Sequence, residues 1–385
     1  MYQTWQVDKY PTLKILQISS AQSLGGGERH LADLANALAH NGHDVYVAVR
    51  PKSSLTAELK DVPPQNITTL PLRNSLDATS ARTLARIVRE RQIEIVHAHM
   101  ARDYPLAAYA ARANPVSKLI ITRHVLFPLS RLHRITLAKA ARIIAVSQAV
   151  AAQLTADRVA APEKISVVLN GIDTARFQTA RQGFSRQPFL ESWKLPDDCL
   201  LVGTVGELTP LKGQEEFLRA ARLILQQHSH ACFVIAGIDH SRTGENRARL
   251  ERLIEELQLR ERVRLVGWLE DLAQLYCALD VFVSASHTES FGLAIAEAMA
   301  SGTAIVATET EGARELIQTG ATGRLVPISD INKLAAAVSA LLTDESERAG
   351  LGLAAQRSAL ANFGLGRMIA ETEEIYRTEL QKPLT

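Results

Sequence analysis

The chain has 385 residues, 46% apolar and 22% charged, ordinary proportions that exclude disordered, collagen-like and fibrous classes. At about 150 residues per domain, this length favours two or three domains. Its net charge of +2, from 43 basic and 41 acidic side chains, lacks the basic excess of a nucleic-acid binder, so no nucleic-acid partner is expected. Charge is unevenly spread: up to Ala175 there are 21 Lys and Arg against 13 Asp and Glu, or +8, and the remainder holds 22 against 28, or −6. Cys199, Cys232 and Cys277 are widely spaced in apolar surroundings and form neither a disulfide framework nor a zinc spacing.

Residues 1–12 read as an N-terminal extension without an apolar signal segment, and no apolar run reaches the ~20 residues of a membrane-spanning helix. The expectation is a cytoplasmic protein, peripheral at most to the inner face of a membrane. From Lys14, β-branched runs alternate with helical patterns as in a doubly wound sheet. KILQIS leads through Gly25, Gly26 and Gly27 into a helix whose Leu31, Leu34, Ala35 and Leu38 share one face and which Asn41-Gly42 closes. DVYVAV, IEIVHA, KLIIT, RIIAV and KISVV continue the series. These make a first Rossmann-like domain over residues 13–178.

Residues 179–198, mixed in charge and without period, read as a linker. A second series, LLVGTV, ACFVIAG, RVRLVG, DVFVSA, TAIVAT and GRLVP, makes a second Rossmann-like domain over residues 199–360; residues 361–385 read as a terminal helix. The expected fold class is α/β, with two doubly wound parallel-sheet domains facing a central cleft. Ligands of such sheets bind beyond the carboxyl ends of the strands.

The most informative segment is HTESFGLAIAEAMASGTAIVAT. Glu289 follows a strand, Phe291-Gly292 opens a helix, and Glu297 lies about two turns along it. A helix N-terminus offers unpaired N–H groups and partial positive charge to a phosphate. Carboxylates at its mouth and farther along can hold hydroxyls on either side of that phosphate, although the spacing alone equally suits a loop glutamate and a solvated helical one. In the first half, the three glycines permit close backbone approach to an anion. His97 and His99 share one strand face, the spacing of a metal pair, but no acidic or cysteine partner follows, and they read as packing.

This segment resembles the signature of the retaining glycosyltransferases of family four, in which two glutamates separated by seven residues flank a Phe-Gly pair. The resemblance extends through SSAQSLGGGERHLADLANALAHNGHDV, IVHAH, AVSQAV, VVLNGIDTARF, GELTPLKG, VRLVGWLEDLAQLYCALDVFVSAS and EGARELIQTGATGRLVP. It implies a GT-B fold, with an acceptor domain first, a nucleotide-sugar domain second, and a last helix returning to the first. By that similarity Glu289 bonds hydroxyls of the donor sugar, the backbone of Ser290, Phe291, Gly292 and Leu293 lines the sugar and diphosphate, and Glu297 takes the ribose hydroxyls. Lys212, in the loop that Gly206 opens, holds the diphosphate. The same likeness gives Gly25, Gly26 and Gly27 a donor contact and puts His124, at the end of KLIIT, close to the reacting sugar. His124, Glu289 and Lys212 are the expected catalytic set.

Relatives commonly carry Arg after the glycine of the Lys212 loop, whereas this chain has Glu207; either another cation replaces it, with Arg123 and Arg242 the candidates, or Glu207 points away from the cleft, or activity is reduced. No Asp-x-Asp occurs, so neither a metal site of the other major glycosyltransferase fold nor any cofactor is expected. The resemblance implies a retaining, metal-independent hexosyltransferase that takes a UDP- or GDP-linked sugar to a hydroxyl of a cell-envelope glycan, glycolipid or small acceptor, in polysaccharide or lipopolysaccharide biosynthesis. The alternatives are a GT-B epimerase or phosphorylase, or a non-catalytic sugar-nucleotide-binding subunit.

Between Asp103 and Asp157 there is no acidic residue, while Arg112, Lys118, Arg123, Arg131, Arg134, Lys139 and Arg142 give +7. As one helix, LSRLHRITLAKAAR puts Arg131, Arg134, Lys139 and Arg142 on one arc and Leu129, Leu132, Leu137 and Ala140 on the other. This pattern is expected to lie on an anionic membrane surface or to bind the acceptor.

Overall fold

The computed structural model describes residues 11–129, 131–269 and 271–383. The chain divides into two compact units: the first runs up to Gly171 and resumes at Leu365, and the second is Ile172–Gly364. In the first unit the strands are β1 (Lys14–Ser19), β2 (Asp44–Val49), β3 (Ile67–Thr69), β4 (Ile95–Ala98), β5 (Lys118–Arg123), β6 (Arg142–Ala145) and β7 (Ile165–Val167). They form one sheet in the order β3-β2-β1-β4-β5-β6-β7, with every pairing parallel. A parallel sheet is covered on both faces, which is why its strands are near-continuous apolar runs. One face packs on the helix Gly26–His40, whose Leu31, Leu34, Ala35 and Leu38 are fully buried, and on Leu365, Met368, Ile369 and Tyr376 of the helix Leu365–Gln381. Each buried Leu contributes about 1.5–3 kcal/mol.

The second unit holds β8 (Leu200–Val205), β9 (Ala231–Ala236), β10 (Val263–Val266), β11 (Val281–Ser284), β12 (Ala304–Thr308) and β13 (Arg324–Val326), all parallel, in the order β10-β9-β8-β11-β12-β13. Its core joins the sheet to the helices Gln214–Ile224, Glu245–Glu256 and Ile331–Thr343. Strand order reverses between β1 and β4 in one unit and between β8 and β11 in the other, and at such reversals doubly wound sheets open a crevice beyond the carboxyl ends of their strands.

Three local expectations change. Strand β3 was absent from the predicted series: Pro63-Pro64 masks it, and only three residues extend beyond the turn Pro64–Asn66 to an edge position. Residues 179–198 are not a structureless linker. They carry the end of the helix Thr174–Gly183 and the helix Arg186–Ser192 inside the second unit, where Leu190 is buried and Arg186 Nη2 meets Asp280 Oδ2 at 2.7 Å. One charge of this mixed stretch serves an ion pair within the second unit. Finally, the basic helix is only Arg131–Leu137, because the chain turns there so that Arg142 can open β6 and pair with Ile120.

Candidate functional site

In the second unit, β8 and β11 lie side by side at the reversal. After β8 the chain passes Gly206, makes the turn Pro210–Lys212 and enters the helix Gln214–Ile224 through Gly213 at φ +66°. A Cβ on Gly213 would sit 1.9 Å from the carbonyl oxygen of Ala285, just beyond β11, so only glycine lets the two loops touch. The His287 N–H donates to the Leu211 carbonyl at 2.9 Å and fastens them. The Lys212 stem passes Gly206, whose added Cβ would lie 3.5 Å from it.

This closure places Lys212 Nζ 2.6 Å from Glu289 Oε1, to which Ser286 Oγ also donates at 2.8 Å. The Glu289 side chain is 13% exposed and that of Lys212 32%, so the pair is partly shielded, and its charge-assisted bond exceeds that of a surface pair. The Glu289 carbonyl accepts the Gly312 N–H at 3.0 Å, and Gly312 lies so close to the Phe291 backbone that a side chain there would strike it at 2.7 Å. Ser290 and Leu293 are half-buried, and Phe291 is buried edge-on to Phe363. Gly292, at φ +99°, caps the helix Leu293–Ala300. The first N–H groups of that helix lack intrahelical partners and carry its positive end.

Glu297 is buried, and its Oε2 accepts the Tyr276 hydroxyl at 2.8 Å, so it is a fixed acceptor and not a solvated helical glutamate. Within the second unit the structure thus brings Gly206, Lys212, Glu289 and the backbone Ser290–Leu293 to one strand-end region, with Glu297 along the adjoining helix. Glu207 is exposed, and its carbonyl accepts from Gln214 Nε2 at 2.8 Å. Of the candidate replacement cations, Arg242 is exposed, and Arg123 is buried in the first unit with its guanidinium on the Phe127 carbonyl.

In the first unit, the Gly25 N–H donates to Glu28 Oε2 at 3.0 Å at the start of the helix Gly26–His40. Gly27 backs onto His124, where a Cβ would sit 3.3 Å from the ring. His124 belongs to a cluster with His30, His97 and His99: the His30 and His124 ring centres are 4.8 Å apart, and those of His97 and His99 are 4.2 Å apart. Both His97 nitrogens are engaged, Nδ1 with the Tyr376 hydroxyl and Nε2 with Thr122 Oγ1 at 2.7 Å, which fits the packing role. Burial pushes His30 down to about 4 against the opposing Asn170 hydrogen bond, and, with repulsion from neighbouring imidazoles, holds His97, His99 and His124 well below the usual histidine range. All four are neutral at pH 7.

The basic patch does not form as expected. Arg134 and Lys139 are exposed, but Arg142 stands on β6 with its guanidinium 2.6 Å from Glu379, and the side chain of Arg131 lies outside the described residues. Sequence reasoning missed Ser286 and Tyr276, which orient the two glutamates, and His30, Gln17 and Asn170 of the histidine cluster. All five stand inside runs singled out in the sequence, but none carries a spacing signal of its own.

Comparison with known proteins matches residues 24–176 to the family model "Glycosyltransferase Family 4" and residues 185–358 to "Glycosyl transferases group 1". A D-inositol 3-phosphate glycosyltransferase of Catenulispora acidiphila is 32% identical over 246 residues, 62% of this chain and 56% of the relative. The lipopolysaccharide core biosynthesis mannosyltransferase LpcC of Rhizobium leguminosarum is 32% identical over 218 residues, covering 56% and 60%. The chain spans little more than half the length of these curated relatives. Among solved structures, Anabaena HepE in complex with UDP-glucose matches with a TM-score of 0.83 and 22% identity over 95% of this chain and all of that one. The two sheets are those of the GT-B fold.

Proposed function

Since the chain belongs to the family-four glycosyltransferases, we propose that it moves a sugar from a nucleoside diphosphate donor to an acceptor hydroxyl with retention at the anomeric carbon. The observation that carries this reading is the 2.6 Å pair of Lys212 and Glu289 beside the Gly292-capped helix start. A cation, a carboxylate and the positive end of a helix together suit a sugar joined to a diphosphate. Lys212 and the helix start take the negative charge that grows on the departing diphosphate, positioned before the reaction so that no solvent need reorganise. Glu289 holds sugar hydroxyls, and Glu297, oriented by Tyr276, takes the ribose hydroxyls.

The bond from the anomeric carbon to the diphosphate breaks with its electron pair on the phosphate oxygen. The acceptor oxygen bonds to the same face, and its proton passes to that phosphate oxygen. The Gly25–Gly27 loop and His124 serve the reacting sugar from the first unit. Neither a metal nor a covalent nucleophile takes part. UDP-glucose bound to HepE supports a nucleotide-sugar donor, UDP- or GDP-linked. The two relatives, a D-inositol 3-phosphate glycosyltransferase and a lipopolysaccharide core mannosyltransferase, support an acceptor hydroxyl on a small molecule or on a cell-envelope glycan.

Among the described residues, no helix is long and apolar enough to cross a membrane. The segment from Val125 to Lys139 exposes Phe127, Arg134, Ile135 and Lys139, apolar and basic groups together, which supports peripheral association with an anionic surface. A thermal-shift screen against nucleotides and nucleotide sugars identifies the donor, because a ligand at a hundredfold excess over its Kd adds about 2.7 kcal/mol to the native state. Product analysis with that donor, with and without acceptors and in EDTA, then tests transfer. Epimerised donor or sugar phosphate as the product, or loss of activity in EDTA restored by magnesium, refutes the reading.

A further inference from the structure

We propose that the first unit binds a transition-metal dication, of the class of Zn(II), through His30 Nε2, His99 Nδ1 and His124 Nε2, with a fourth position open. The three residues come from the helix Gly26–His40 and from the ends of β4 and β5, and one ligand atom from each lies within 4.8 Å of the others. Two of the three already present lone pairs. Asn170 Oδ1, 2.9 Å from His30 Nδ1, fixes the proton there, leaving Nε2 as a bare acceptor; that atom is buried without a partner among the described residues. Gln17 Oε1, 2.7 Å from His99 Nε2, fixes that proton likewise and turns the Nδ1 lone pair toward His124 Nε2 at 3.2 Å.

A ring N–H held by a carbonyl oxygen, with the opposite nitrogen free, is how metal-binding histidines are oriented. For ligands at ~2.0–2.1 Å in a tetrahedron, neighbouring nitrogens stand about 3.3 Å apart, so the His99–His124 separation is already on that scale. Metal entry replaces the hydrogen bond between these rings with bonds to the ion and moves the His124 proton to Nδ1, which has no partner among the described residues. His124 is half-buried, the most exposed of the three, and gives the way in.

All-nitrogen ligation selects Zn(II), Ni(II) or Cu(II) over Mg(II) or Ca(II). Three neutral ligands leave the ion its full charge, so the fourth position favours hydroxide or an anionic oxygen. His97, with both nitrogens engaged, is excluded from the set. The site stands whether or not the chain transfers a sugar, and the proposed transfer does not require it.

The test is titration of untagged, chelator-stripped protein with Zn(II) against a chromophoric chelator, followed by X-ray absorption of the loaded protein. One equivalent should bind through three imidazole nitrogens. His30→Ala should abolish binding, and Asn170→Ala or Gln17→Ala, which touch no ligand atom directly, should weaken it 10- to 100-fold. Absence of saturable binding, fewer than three imidazoles in the wild-type spectrum, or unchanged affinity in folded His30→Ala and Asn170→Ala proteins would overturn the proposal. The wild-type spectrum decides even if a variant fails to fold.

Discussion

Asp103 is fully buried in the first unit, its Oδ2 accepting the Ser20 N–H at 2.7 Å while its Oδ1 has no partner among the described residues. Burial raises its carboxyl from 3.8 to about 6, outweighing the Ser20 hydrogen bonds and the attraction of Arg102 and Arg50. Because the folded value lies above the unfolded one, protonation favours the folded state, and stability from this group rises as pH falls from about 6 to 3.8. A gap of that size corresponds to about 3 kcal/mol over the whole window, of which roughly 1–2 kcal/mol appears between pH 7.5 and 5. Asp103→Asn keeps an acceptor for Ser20 and removes the titration, so relative to wild type the variant should gain roughly 1–2 kcal/mol on going from pH 5 to 7.5.

Taking the difference cancels contributions of opposite sign shared by both proteins. The depressed histidines lose stability below their unfolded values, and Glu373, which the His43 and Arg377 side chains hold down at about 2, loses it below its own. Two of the three tryptophans, Trp193 and Trp268, lie in the second unit, so tryptophan fluorescence is not specific to the surroundings of Asp103. Native-state hydrogen exchange of the β1 and β4 amides does. A wild-type-minus-variant difference equal at the two pH values would refute the reasoning.

Glu289→Gln keeps the shape of the side chain and removes the charge that pairs with Lys212, and transfer should fall on the order of a hundredfold or more, measured as initial rate at saturating donor with the fold checked by circular dichroism. Lys212→Ala should weaken nucleoside diphosphate binding and lower kcat together, because the charge it meets grows toward the transition state; calorimetry and kinetics separate the two effects. Gly213→Ala forces a positive φ and a Cβ 1.9 Å from the Ala285 oxygen, and should destabilise the second unit by about 1–3 kcal/mol or more in urea unfolding followed by tryptophan fluorescence. Arg134→Glu with Lys139→Glu should reduce co-sedimentation with anionic vesicles, at roughly 1 kcal/mol per charge and less in high salt.

How far the sequence speaks depends on the range of the interaction being read. Apolar runs such as KILQIS and ACFVIAG and the 3.6-residue period through Leu31, Leu34 and Leu38 are local, so the alternation of strand and helix, the two sheets and the loops bearing Lys212 and Glu289 are all legible in one dimension. The three residues of β3 were not legible, because an edge strand forms only when its neighbour offers free backbone groups. Helix period alone misled at LSRLHRITLAKAAR, since pairing of Arg142 with Ile120 ended the helix early and Glu379, more than two hundred residues away, captured the guanidinium. Nor does any spacing show that Ser286 and Lys212 share one oxygen of Glu289, that Tyr276 fixes Glu297, or that His30, His99 and His124 converge. These are contacts across strand ends and between crossover helices, where parallel connections bring together residues 21 to nearly 100 positions apart. Their partners are therefore set by sheet order, with the chain doubling back at the β1–β4 and β8–β11 reversals, and a linear pattern holds no record of that order.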